Sequence, residues 1–216
     1  MGKMADFLTG TQILEEAESP INGEITVLKS LAFGTHFQVS GLTQSGGVVY
    51  EVWKSTLKRI KSQKFQVKSC LILGLGGGSA ALLVKRFWPT AEITGVDIDP
   101  IMIELGKKYL NLGGTRAEAV IADAAEFCDK KLKEQGRYDL ILIDMYVGSE
   151  VPKHLQTEKF IETVKKLLNE GGVAVFNRLY YGEKRREATK FGEKLEKFFL
   201  SVFPIYPEAN VMFVCE

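Results

Sequence analysis

The chain has 216 residues, 45% of them hydrophobic and 25% charged, with a formal net charge of +1. That length and apolar share suffice for one sizeable core with a small accessory element and leave little room for two full domains. The charge balance argues against a disordered chain and against a globally nucleic-acid-binding surface.

Cys70, Cys128 and Cys215 are too far apart for a metal-ligand spacing or a disulfide framework. Cys70 and Cys215 sit in apolar runs and read as buried thiols in a reducing compartment. Met1 to Gly10 lacks a long apolar run, so neither a signal peptide nor a membrane span is expected, and the expected location is cytoplasmic.

Glu24–Ser30, Thr35–Ser40 and Gly47–Tyr50 are short alternating or β-branched runs broken by glycines, which predicts a hairpin element. Val49, Val52, Trp53, Leu57 and Ile60 then recur at helical spacing, with Lys54, Lys58, Arg59 and Lys61 on the other face. These basic residues read as a solvated face, because the interleaved aromatics that stack bases are missing. Trp53 and Trp88 read as packing residues, and His36 as structural.

After Lys68, strands alternate with helices. Cys70–Leu73 is a continuous apolar run suited to a strand buried on both faces. Gly74–Gly78 breaks it, and Ala80–Trp88 follows as a helix stopped by Pro89. Glu92–Val96 is a second strand, and Asp99-Pro100 opens a helix with a capping acid and a proline at its first position. Glu118–Ile121, Tyr138–Ile143 and Val173–Phe176 are further strands, and Ala124–Glu134 and Leu155–Leu168 are helices, the latter ended by Gly171-Gly172. Phe191, Leu195, Phe199 and Val202 mark one face of a last long helix, and Val202–Ile205 with Val211–Val214 reads as a closing hairpin. Such alternation predicts an α/β fold with a mainly parallel, doubly wound sheet.

The run from Leu71 to Ser79, with Gly74, Gly76, Gly77 and Gly78, is a strand, a glycine turn and a helix start. Glycines there allow close approach of a ligand, and helix N-terminal amides can meet a pyrophosphate or a carboxylate. Asp97 ends the second strand about twenty residues on, where a carboxylate can take both ribose hydroxyls, with Ile98 beside it. To this point NAD and S-adenosylmethionine fit equally well. Asp123, followed by Ala124, stands just after the third strand, where methyltransferase-type folds place an acid beside the adenine amine. Asp144 ends the fourth strand on the edge where open parallel sheets bind ligands. Asn177 and Arg178 end the fifth strand on that same edge.

From Cys70 to Asn177 the chain resembles the spermidine synthase-like branch of the class I S-adenosylmethionine-dependent methyltransferase superfamily. More weakly, Val39 to Gln44 resembles that family's strand before its substrate-facing glutamine. Aminopropyltransferases of the family carry Gly-Gly-Gly-Asp-Gly-Gly in the glycine loop and Asp-Ser-Ser-Asp-Pro after the fourth strand, whose second Asp deprotonates the attacking amine. Here the corresponding runs are Gly74-Leu75-Gly76-Gly77-Gly78-Ser79 and Asp144-Met145-Tyr146-Val147. A valine can neither take a proton nor pair with a polyamine, and Gly46–Val49 has no acids to hold one. The chain instead matches the Asp-x-Tyr and Pro-x-His-Leu-x-Thr-x-x-Phe signature of uncharacterised spermidine synthase-like proteins, in Asp144, Tyr146, Pro152, His154, Leu155, Thr157 and Phe160.

The resemblance implies a Rossmann-like doubly wound seven-stranded sheet over residues 66–216 and a β-hairpin lid with a connecting helix over residues 1–65. It implies an S-adenosylmethionine-binding transferase, read as a methyltransferase. Aminopropyl transfer from decarboxylated S-adenosylmethionine is the alternative, and a non-catalytic nucleoside-binding protein a second one. Asp144, Tyr146 and His154 are the candidate catalytic residues: Tyr146 either walls the pocket or orients a nucleophile, and His154 either acts as a base near neutral pH or is tied to a helix start. Gln44, Tyr50 and Glu51 are placed on the substrate side. No metal is expected, and the expected partners are a small-molecule acceptor and a second copy in a homodimer, with neither membrane nor nucleic acid.

Overall fold

The structure, a computed structural model, describes residues 10–63 and 65–216. The Met1–Gly10 segment therefore lies, apart from Gly10, outside the described residues. The first four strands, β1 (Thr11–Ser19), β2 (Gly23–Ser30), β3 (Gly34–Val39) and β4 (Leu42–Gly46), form an antiparallel sheet in chain order. Helix α1 (Gly47–Ser62) follows directly, burying Val52, Trp53, Leu57 and Ile60 as their spacing predicts. The strand expected at Gly47–Tyr50 is instead the first turn of this helix. Gly46 and Gly47 have φ of +73° and +48°, and this backbone turn ends the strand and starts the helix. β1 was not foreseen.

The second sheet is built from β5 (Ser69–Leu73), β6 (Glu92–Asp97), β7 (Glu118–Ile121), β8 (Tyr138–Ile143), β9 (Leu168–Leu179), β10 (Val202–Ile205) and β11 (Asn210–Cys215). Their order is β10-β11-β9-β8-β5-β6-β7. β7, β6, β5, β8 and β9 run parallel, whereas β11 is antiparallel to both β9 and β10. Between them lie α2 (Ser79–Phe87), α3 (Pro100–Tyr109), α4 (Ala124–Lys133), α5 (Glu158–Lys166) and α6 (Lys184–Leu195). This is the expected doubly wound seven-stranded sheet.

Both faces of the sheet are covered. Val52, Leu57, Leu83 and Val84 of α1 and α2 pack under Ile72, Leu140 and Val175. Phe160, Ile161, Phe191 and Leu195 of α5 and α6 pack over Leu71, Ile141 and Phe176. Leu71, Ile72, Leu140 and Ile141 are fully buried, each contributing about 1.5–3 kcal/mol relative to exposure. Helix α3 is shared: Ile103 faces the large sheet, while Met102 and Leu105 pack against Ile25, Val27, Phe37 and Val39 of the small one.

Two expected helices are shorter than their patterns. The segment from Leu155 divides into a 3-10 turn (Lys153–Gln156) and α5, with Thr157 capping α5 through Phe160 N. α6 ends at Leu195, so Phe199 lies beyond it, edge-on to Phe176, and Val202 begins a strand.

Candidate active site

The chain reverses direction in the large sheet between β5 and β8, and a crevice is expected outside the strand ends at that switch. A cavity of about 400 Å³ occupies it. Gly74 and Asp144 meet at its floor, where Asp144 N donates to Leu73 O at 2.8 Å. Gly74, Gly76, Asp97, Ile98, Asp123, Ala124 and Asp144 all line the cavity, as do Tyr146, His154 and Gln44.

Other expected residues fall elsewhere. Gly77 and Gly78 are packing positions: a Cβ on Gly77 would stand 2.6 Å from Phe37, and one on Gly78 2.6 Å from Leu112. Tyr50 and Glu51 lie on the outer side of α1 beside a separate shallow hollow, with Glu51 paired to Lys54 at 2.9 Å. Their placement on the substrate side is thus corrected, because the helical start at Gly47 rotates them away. Arg178 also points off the cavity, its guanidinium buried 3.7 Å over the Phe191 ring.

At the β6 end, Asp97 Oδ2 accepts from Gly76 N at 2.6 Å and Oδ1 from Asp99 N at 3.0 Å. Each carboxylate oxygen keeps a further lone pair for a ligand. Burial raises the Asp97 pKa, against the opposing effect of the Asp99 and Gly76 amides. Asp99 does cap α3, through Ile101 N at 2.9 Å, and it also accepts from Ser19 Oγ at 2.5 Å and Asn22 Nδ2 at 2.6 Å. These bonds fasten the turn after β1 to the large sheet. The other side-chain atom of Asn22, Oδ1, is buried without a hydrogen-bond partner, and Asn22 lines the cavity. Sequence reasoning missed Asn22 because β1 itself was missed.

At the β7 end, Asp123 caps α4 through Ala125 N at 2.8 Å and Glu126 N at 3.1 Å. Its second oxygen lies 2.8 Å from His154 Nε2. Burial opposes the charge of Asp123, yet His154 and the two amides outweigh it and hold the carboxyl below its ordinary range.

At the β8 end, Asp144 Oδ2 accepts from Trp53 Nε1 and Oδ1 from Asn177 Nδ2, both at 2.7 Å. Asn210 Nδ2 in turn donates to Asn177 Oδ1 at 2.8 Å, so one hydrogen-bonded row links α1, β8, β9 and β11. Burial raises the Asp144 pKa, with Trp53, Asn177 and Arg178 acting in the other direction. Trp53 is therefore a donor to the site as well as a packing residue. Its helical spacing announced only the packing. Tyr146 Oη accepts from Leu179 N at 2.8 Å, and burial pushes its pKa up to about 12. Val147 lines the cavity, while Glu150 is outside it, bonded to Lys184 at 2.6 Å.

The described residues lining the cavity include four carboxylates, Asp97, Asp123, Asp144 and Glu208, and neither lysine nor arginine. Among the described residues no group of three metal-ligating side chains occurs, and no helix is long and apolar enough to cross a membrane.

The Spermine/spermidine synthase domain matches residues 52–216. A polyamine aminopropyltransferase of Vibrio vulnificus is 33% identical over 129 residues, covering 57% of this chain and 43% of that protein. The eEF1A lysine and N-terminal methyltransferase homolog of Drosophila melanogaster is 28% identical over 157 residues, covering 68% of this chain and 23% of that protein. The chain thus spans less than half the length of these curated relatives. A crystal structure of spermidine synthase in complex with the transition state analogue AdoDATO has a TM-score of 0.75 at 22% identity, covering 94% of this chain and 72% of that one. Human methyltransferase-like protein 13 in complex with SAH has a TM-score of 0.63 at 22% identity, covering 78% and 81%. With a doubly wound sheet, a crevice at its switch point and a domain match over most of its length, the chain belongs to the spermine/spermidine synthase domain family.

Proposed function

We propose that this protein is an S-adenosylmethionine-dependent transferase that moves a methyl group to a small-molecule acceptor. The fold neighbours hold SAH or AdoDATO, and in this reading the same crevice takes the nucleoside here. Asp97 and Asn22 Oδ1 accept from the ribose, Asp123 and Ala124 flank the adenine, and Ile98 covers it. Gln44 from β4 reaches the acceptor side, and residues 10–63 form the wall over the donor that residues 66–216 bind.

The observation that carries methyl over aminopropyl transfer is Val147, which lines the cavity where the aminopropyltransferases of the family carry the acid that deprotonates the amine. Both oxygens of Asp144 are engaged by Trp53 and Asn177, and Val147 occupies the cavity wall nearby. Both donors are sulfoniums, so the need for a base is set by the acceptor. A polyamine arrives protonated and must lose a proton, whereas an acceptor whose attacking atom already carries a free lone pair at neutral pH needs none. The acceptor's lone pair bonds to the methyl carbon as the carbon–sulfur bond breaks, and its electron pair neutralises the sulfonium. Alignment and exclusion of water account for most of the acceleration. Tyr146, pinned to Leu179 N, is a wall in this reading rather than a base.

Aminopropyl transfer is the second reading, favoured by Glu208, a cavity carboxylate with no hydrogen bond or ion pair among the described residues. The test is mass spectrometry of any nucleoside that co-purifies, followed by incubation with methyl-labelled S-adenosylmethionine and a panel of amines, phenols and thiols. Labelled product supports methyl transfer. Donor binding with no turnover of any acceptor would leave a non-catalytic nucleoside-binding protein, and no donor binding would end the assignment.

A further inference from the structure

The glycine loop is the part of such a crevice that ordinarily offers backbone amides to an anion, and the sequence led to that expectation here. In the structure every loop amide from Gly74 to Gly78 already has an acceptor. Gly74 N and Leu75 N donate to Val96 O at 2.9 and 3.0 Å, and Gly78 N donates to Leu75 O at 2.9 Å. Gly76 N is taken by Asp97 at 2.6 Å. Gly77 N, the remaining one, donates to Ser45 Oγ at 2.7 Å, and this bond is buried.

Ser45 comes from the end of β4, and its neighbour completes the docking: Gly46 N donates to Ser79 Oγ at 2.7 Å, covering the start of α2. Ser45 is 2% exposed, and its Oγ would lie 2.7 Å from a Cβ on Gly76. The hydroxyl thus sits in the bend of the loop, in the place an anionic oxygen would take. The rest of the cavity's described lining has four carboxylates and neither lysine nor arginine to attract an anion.

We propose that Ser45 is a specificity-determining residue of the donor site, its hydroxyl replacing the donor carboxylate on the glycine loop. The site then recognises the nucleoside and the cationic part of the donor and leaves the amino-acid carboxylate without a partner. This rests on the reading that a sulfonium nucleoside binds in the crevice.

The test is calorimetry of the intact chain with S-adenosylhomocysteine and with its decarboxylated analogue, which keeps the amine. In the wild type the carboxylate-bearing ligand is expected to bind less than threefold more tightly than the analogue. Ser45→Ala frees the Gly77 amide and is expected to move that ratio threefold or more toward the carboxylate-bearing ligand. A wild-type preference of threefold or more for the carboxylate overturns the proposal without any variant. So does an unchanged ratio in folded Ser45→Ala. Failure of both ligands to bind the wild type instead overturns the donor reading and this proposal with it. Binding of both at a ratio that Ser45→Ala leaves unmoved overturns this proposal alone.

Discussion

Gly74 and Asp144 touch through their backbones: a Cβ on Gly74 would stand 2.1 Å from the Asp144 carbonyl oxygen. Gly74 also has φ of +86°, a left-handed conformation that side chains resist. Two adjacent parallel strands therefore end in contact, and the cavity floor is backbone on backbone. Gly74→Ala combines a clash with a strained dihedral and is expected to cost more than about 3 kcal/mol. Gly113→Ala is the control, because nothing lies within 4 Å of the added methyl. Urea unfolding of both variants checks this, and equal midpoints would refute the contact.

Trp53→Phe should keep most of the packing in the core and remove the donor on Asp144 Oδ2. A lost hydrogen bond to a charged group costs about 1.5–3 kcal/mol. Burial already raises the Asp144 pKa, so native Asp144 holds its proton at pH values where the unfolded chain has lost it. Its contribution to stability is therefore present at low pH and declines as pH rises from the ordinary carboxylate value through the raised one. Removing the indole N–H raises the native pKa further and should carry that decline to higher pH. Stability curves of wild type and variant from pH 3 to 8 that differ by a constant would show that Trp53 does not govern the titration.

The parallel sheet and the edge that carries the cavity were legible because buried parallel strands are continuous apolar runs between glycine and aspartate signals, as in Cys70–Leu73 and Tyr138–Ile143. β1 was not legible, for its run carries Glu15, Glu16 and Glu18, and what stabilises it is distant. Glu15 accepts from Lys108 Nζ and Tyr109 Oη, each at 2.6 Å. Asp97, Asp123 and Asp144 could be placed at the cavity because each ends a strand or stands within two residues of one. Asn22 and Asn210 lie in a turn and an edge hairpin with no local pattern, and only the tertiary fold brings them to the cavity. The loop glycines were located correctly, yet Gly77 and Gly78 accommodate Phe37, Ser45 and Leu112 rather than a ligand. Spacing cannot distinguish those two needs.

Asp123 has two structural duties, and they predict an acid-sensitive helix start. Its pKa is lowered in the fold, so its stabilising effect is full above the unfolded value of about 3.9 and is lost as pH falls through the depressed value. Asp123→Ala removes the cap and should cost about 0.5–2 kcal/mol at pH 7. Asp123→Asn keeps an acceptor for the amides, so its loss at pH 7 should be smaller. If Asp123 also accepts the adenine amine, the same order should hold for S-adenosylhomocysteine affinity measured on the folded variants. Affinity unchanged in both would confine the residue to capping.

Asp97→Ala should weaken S-adenosylhomocysteine binding by about 1.5–3 kcal/mol, roughly 10- to 150-fold. The side chain also holds the Gly76 amide, so part of the loss arises from a looser loop. Asp97→Asn separates the contributions, since its amide oxygen can keep the Gly76 bond but carries no charge for the ribose hydroxyls. Calorimetry should rank the affinities wild type, then Asn, then Ala. Wild-type affinity in the alanine variant would remove Asp97 from the site, and tighter binding of NAD than of S-adenosylhomocysteine would replace the cofactor.

The last prediction is that the protein does not make spermidine from putrescine and decarboxylated S-adenosylmethionine at a meaningful rate. Aminopropyl transfer needs the attacking amine deprotonated, and a positioned base contributes roughly 10²–10⁴-fold. Val147 cannot serve, and Asp144 has donors on both oxygens. Glu150 is bonded to Lys184 and Glu51 to Lys54, both away from the cavity, so neither replaces the missing acid without leaving its partner. Putrescine would also bring a second ammonium into the cleft, and an unpaired buried charge costs several kcal/mol. Glu208 is the one cavity carboxylate whose side chain has no protein partner among the described residues, and it stands on a turn held by Asn210 N on Pro207 O at 3.0 Å. It is therefore the residue to vary alongside the other two. The assay supplies both substrates and follows methylthioadenosine in wild type and in Glu208→Gln, Glu150→Gln and Glu51→Gln. Only slow, proximity-driven release is expected in all four. Robust wild-type turnover abolished by one of these changes would identify a relocated base and transfer the protein to polyamine synthesis.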